Sequence, residues 1–184
     1  MFIMSSTLTQ NHFELFLLPQ RYVLERAELD ARYRHMQRSV HPDRYASASD
    51  RERRISMQQA TQINEAYEVL KDPLKRGRYL LELRGHAIEE QNSTHQDPAF
   101  LMRQMELREN LAQIREQDDP LQALDRLAQT VRSQYQALES ELARALDGDA
   151  DFEQAVTLVL RMQFFQRLQE EVQELEADLE DEFY

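Results

Sequence analysis

Helix breakers, by their rarity and placement, constrain this chain more than any other feature. The sequence holds 3 glycines and 5 prolines among 184 residues, the prolines being Pro19, Pro42, Pro73, Pro98 and Pro120. Proline lacks an N–H and has a fixed φ, so it suits the first turn of a helix or a connection and breaks a helix interior. Between these points the chain is rich in Leu, Glu, Gln, Ala and Arg, which lose least on entering a helix. An all-α fold is therefore expected. A hydrophobic content of 41% is enough to pack a core.

Four helical pieces are expected in the first half. The first, near Asn11 to Leu17, ends before Pro19 and has Asn11 as a plausible N-cap. The second runs from about Leu24 to Val40, with Leu29, Tyr33, Met36 and Val40 on one face. It must stop at Val40 or His41, because Pro42 pushes the preceding residue out of the α region. The third spans about Asp50 to Lys71, with Met57, Ala60, Ile63, Ala66, Tyr67 and Leu70 predicted on one stripe. The fourth starts near Pro73 and is predicted to turn Tyr79, Leu80 and Leu83 inward.

Periodicity then lapses in GHAIEEQNSTHQDP, Gly85 to Pro98, which reads as a linker. Three further helices are expected near Pro98 to Gln117, Pro120 to Ala145 and Asp151 to Asp181, opened by Asp97, Asp119 and either Asp149 or Asp151. The connections at Asp118-Asp119 and Asp147-Gly148 are short, so neighbours should pack antiparallel as a three-helix bundle. The expected organisation is a flexible N-terminus at 1–10, a first domain at 11–84, a linker at 85–97 and the bundle at 98–184.

Charge divides at the same place. Residues 11–84 carry 14 basic and 11 acidic side chains, whereas residues 85–184 carry 8 basic and 23 acidic. Two modules with two differently charged partners are implied. The overall net charge of −12 argues against nucleic acid as a partner. Charges interrupt every apolar run before the roughly 20 residues a membrane span needs, and the N-terminus lacks the features of a signal peptide. With 0 cysteines there is no disulfide or thiolate site, and the cytoplasm is the expected compartment.

An enzyme is not expected. There is no Gly-rich phosphate loop, serine nucleophile elbow or HExxH motif, and no histidine follows a glutamate by three residues. His12, His35, His86 and His95 read as ordinary surface or cap residues. Neither cofactor nor metal is called for.

The segment RYRHMQRSVHPDRY places a basic helix directly before His41-Pro42-Asp43, and QINEAYEVLKDPLKRGRYL follows on the next helix. A bare His-Pro-Asp arises by chance in about one chain in a hundred of this length. In the connection of a helical hairpin, preceded by arginines and followed by AYEVLKDPLKR, it resembles the J domain of the DnaJ family. Pro42 stiffens the loop, so His41 and Asp43 present a donor and an acceptor at little ordering cost. Arg32, Arg34 and Arg38 supply positive charge that would steer an acidic partner. The resemblance implies that the loop contacts a DnaK-class chaperone and promotes its ATP hydrolysis. Val40 stands where many relatives carry an aromatic.

No Gly/Phe-rich segment or cysteine zinc region follows the first domain. Instead DPAFLMRQMELRENL and the acidic three-helix pattern are similar to the C-terminal domain of the HscB family, J proteins dedicated to iron-sulfur cluster assembly. That resemblance implies a surface for the scaffold protein IscU at Leu101, Met102, Met105, Glu106, Glu109 and Phe164, with delivery to an HscA-type chaperone. Met105 departs from the leucine usual there. The five α-helical positions are related by steps of three, four and seven, which makes one stripe. Leucine and methionine at such spacing also suit a bundle core, and periodicity does not decide between the two. Leu107, Leu111 and Ile114 are core candidates. Of Phe164 and Phe165, one should pack inside and the other lie toward the surface. A J protein for another client and a helical interaction protein with an incidental His-Pro-Asp are the alternatives.

Overall fold

The computed structural model describes residues 10–41, 49–88 and 97–183. The chain divides into two compact units, Met1–Arg84 and Gly85–Tyr184. The described residues form helices and turns, with no strand among them. The terminus expected to be flexible falls, apart from Gln10, outside the described residues, as do 89–96 of the expected linker, His95 included.

The first unit holds α1 (His12–Leu15), α2 (Arg26–Ser39), α3 (Asp50–Lys71) and α4 (Pro73–Leu83). Local chemistry sets most of these boundaries. Asn11 and Ser49 each form a capping box, with Glu14 and Glu52 respectively, satisfying amide donors that the first helical turn leaves unpaired. Three Asp-Pro pairs act alike: Asp72, Asp97 and Asp119 each accept an N–H from the residue three further on, and proline takes N1.

Phe13, Phe16, Tyr22, Leu29, Ile63, Leu70, Leu80 and Leu81 are all buried and fill this unit's interior. Arg76 is buried with them. Its guanidinium donates to the Leu70 carbonyl at 2.6 Å and lies 4.8 Å from the Tyr22 ring centre, closing the C-terminal end of α3. His12 stacks on Tyr79 at 4.2 Å, and its backbone N–H donates to the Tyr79 hydroxyl. Burial holds the His12 imidazole below its ordinary pKa, against the opposing pull of Glu65 and Glu82.

Two expected core positions lie outside. Met57 is 67% exposed and Ser56 is buried instead. At 100° per residue Ser56, Ile63 and Leu70 stay in line, while Met57 falls about 120° away from Ile63. Leu83, likewise expected inward, is exposed, because Leu74 and Leu81 occupy the buried line of α4.

The second unit comprises α5 (Pro98–Ala112), a 3₁₀ turn (Ile114–Glu116), α6 (Pro120–Asp147) and α7 (Phe152–Phe183). α5 is shorter than expected because its last stretch tightens into the 3₁₀ turn. α6 and α7 form a long antiparallel pair, burying Val131, Leu142 and Ala145 against a line that includes Val159, Met162 and Phe165. At their junction a Cβ on Gly148 would meet the Arg144 carbonyl oxygen at 2.9 Å, so only glycine fits there. Asp151, not Asp149, caps α7 by accepting the Gln154 N–H at 3.0 Å. Asp97 is bound to Arg161 of α7 at 2.5 Å, which pins the start of α5.

Candidate functional site

The end of α2 carries Arg34 and Arg38. Val40 is the C-cap and is buried, and His41 follows it, exposed. The Ser56 hydroxyl, itself buried, donates to the Val40 carbonyl at 2.8 Å. That bond crosses from α3 to α2 and supplies a donor to a carbonyl at the helix end, where intrahelical partners run out. Pro42 and Asp43 lie outside the described residues.

His41 lines an open groove of about 580 Å³ together with Tyr33, Arg34, Gln37 and Arg38. Its floor is stiff. Tyr33 stacks on Tyr67 at 3.9 Å and donates to Asn64 at 3.0 Å, tying α2 to α3. Two guanidinium groups share this groove, and among the described residues that line it none is a carboxylate, so this part of it suits an anionic surface. Arg32 is not among the lining side chains. It pairs with Glu28 at 2.6 Å and donates to the carbonyls of Phe16 and Leu17 at 2.8 and 2.9 Å. Leu17 has φ 54°, a left-handed conformation costly for a branched residue. Arg32 therefore holds a strained turn between α1 and α2.

In the second unit, α5 turns apolar side chains outward. Leu101, Met102 and Met105 are 47%, 65% and 65% exposed, while Leu107 and Ile114 are buried and Leu111 is half-buried. Glu106 and Glu109 are exposed beside them, with Arg103 bound to Glu106 at 3.2 Å and Gln113 to Glu109 at 3.3 Å. Phe165 is in the core. Phe164 is half-buried, edge-on to Phe100 at 5.8 Å and to Phe165 at 5.3 Å. The Arg108 guanidinium lies 5.8 Å from the Phe164 ring centre and reaches Glu171 at 3.5 Å.

Comparison with known proteins accounts for both units. The DnaJ domain model matches residues 11–79, and the model described as the HSCB C-terminal oligomerisation domain matches residues 96–173. A co-chaperone protein HscB homolog of Burkholderia multivorans is 46% identical over 169 residues, covering 90% of this chain and 94% of that protein. The chain belongs to the HscB family. A second HscB homolog, from Aliivibrio fischeri, is 41% identical over 92% of this chain and 98% of its own. Among solved structures, chaperone HscB from Vibrio cholerae superposes with a TM-score of 0.83 at 39% identity, covering 92% of this chain and 99% of that one. Human co-chaperone protein HscB gives 0.84 at 30% identity, covering 91% and 83%.

This member of the HscB family is thus a J-domain co-chaperone. Phe100 and Arg108 join its α5 face to α7 and were not singled out from the sequence. Arg108 lies seven residues after Leu101 and three after Met105, so the same helical spacing points to it. Phe100 offers no such signal, because only the packing of α5 on α7 brings it to Phe164. Among the described residues no group of three or more His, Asp or Glu could hold a metal ion, and no helix is long and apolar enough to cross a membrane.

Proposed function

We propose that this protein binds an IscU-type iron-sulfur scaffold, brings it to a DnaK/HscA-class chaperone and stimulates that chaperone's ATP hydrolysis, assisting cluster maturation in the cytoplasm. The observation that carries the client assignment is the outward apolar face of α5. Three large apolar side chains in one and a half turns stand in solvent with carboxylates alongside, although the same helix has a buried line available at Leu107. Such clustering is what a protein-binding surface requires. Leu101, Met102 and Met105 would supply its apolar centre, Glu106 and Glu109 its polar rim, and Phe164 an aromatic anchor.

His41, Pro42 and Asp43 would engage the chaperone, with Arg34 and Arg38 steering its approach and Arg32 acting through the α1–α2 turn it braces. The opposite charge of the two units fits two simultaneous partners. Residues 85–97 would serve as the linker. The client site is tested by calorimetric titration of the full chain into an IscU-type scaffold, beside a variant carrying Met102→Ala, Met105→Ala and Phe164→Ala whose fold is confirmed by circular dichroism. Binding by the parent and not the folded variant is the expected result; no binding by the parent would reassign the client. His41→Gln should abolish ATPase stimulation and leave scaffold affinity intact. Equal loss of both would overturn the two-surface assignment.

A further inference from the structure

We infer that Met102 and Met105 form a reversible oxidation site, at which hydrogen peroxide turns the α5 face from apolar to polar and releases the client. The inference rests on the client reading above. The chain has 7 methionines and 0 cysteines, so its sulfur chemistry is entirely that of thioethers. Met102 and Met105 are each 65% exposed, whereas Met162, in the α6–α7 core, is 0% exposed. Three residues apart, the two thioethers share one side of a single turn. A partner that covers Leu101 would cover both.

In the reaction the thioether sulfur attacks one peroxide oxygen. An S–O bond forms, the O–O bond breaks, sulfur gives up two electrons, and the departing hydroxide takes a proton to leave as water. A thiol-dependent reductase of the methionine sulfoxide class reverses the step, its dithiol becoming a disulfide as the oxygen leaves as water. The sulfoxide is a polar acceptor that an apolar interface leaves unpaired, so oxidation should weaken client binding by roughly tenfold or more. The fold should survive, because neither side chain contributes to the core. Glu106 and Glu109 beside the pair disfavour approach of an anionic oxidant and not of neutral peroxide.

The test uses the full-length protein treated with hydrogen peroxide, with peptide mass mapping, circular dichroism and titration into an IscU-type scaffold. One oxygen should appear on Met102 and on Met105 before Met162, with helix content unchanged, affinity reduced and a sulfoxide reductase restoring it. A Met102→Leu, Met105→Leu variant, whatever its starting affinity, should show the same affinity before and after peroxide. Met57, 67% exposed on α3, is controlled for by Met57→Leu, which should remain sensitive. Failure of the untreated parent to bind would refute the client reading. Binding by the parent that peroxide leaves unchanged would overturn the oxidation site alone, as would reductase treatment that fails to restore affinity or a double-leucine variant that loses affinity on treatment.

Discussion

Phe164 and Phe165 are neighbours in sequence with opposite expected consequences on truncation. Phe165 is 2% exposed, with its ring 6.2 Å from Phe100 and 5.3 Å from Phe164. Phe165→Ala removes a fully buried ring and leaves a cavity, which costs about 3–5 kcal/mol. Phe164 is half-buried, and its losses are partial burial, the edge-on contact with Phe100 and the cover of Arg108. Those sum to about 1–2 kcal/mol. For a unit of this size 1 kcal/mol moves Tm by about 4–8 °C, so Phe165→Ala should lower it by about 12 °C or more and Phe164→Ala by roughly half that or less. Differential scanning calorimetry of the full chain measures both, and hydrogen exchange of the α7 amides assigns the loss to the second unit. Scaffold affinity, measured where both variants remain folded, should fall with Phe164→Ala. Equal destabilisation by the two variants would refute the division of the pair into core and surface residues.

Ser56→Ala should cost the first unit about 1–3 kcal/mol in urea denaturation, because the buried Val40 carbonyl loses its cross-hairpin donor; ATPase stimulation should fall although His41 is intact. Arg34→Ala with Arg38→Ala should weaken chaperone binding at low salt and flatten its salt dependence. Arg32→Ala should instead lower thermal stability, since the bonds it loses brace the Leu17 turn. Burial, opposed by Glu65 and Glu82, depresses the folded-state pKa of His12 below its ordinary 6.5. The unfolded chain therefore takes up the proton first, and stability falls as pH drops through about 6.5 and levels off below the folded value. A pH series of urea denaturations on the parent and His12→Gln should show that slope reduced in the variant.

The legible parts of this protein were those decided within a few residues along the chain. Asn11, Ser49 and the Asp-Pro pairs set helix starts through bonds spanning three residues, so capping chemistry and proline placement suffice to read an all-α fold and most of its helix starts. His41-Pro42-Asp43 between a basic helix and AYEVLKDPLKR, and DPAFLMRQMELRENL beyond it, carry the family in the same local way. What escaped depends on which face a helix turns to its neighbours. Leu101 and Met105 have the spacing of a core stripe, and their exposure follows from α5 packing on α6 and α7 through the line of Leu107. Ser56 lies inside and Met57 outside because the hairpin buries the phase of Ile63 and Leu70, whatever the chemistry at the next position. Arg32 reads as one more charge on a basic helix until the turn at Leu17 closes against it. Periodicity specifies a face up to a rotation about the helix axis, and tertiary packing supplies that rotation.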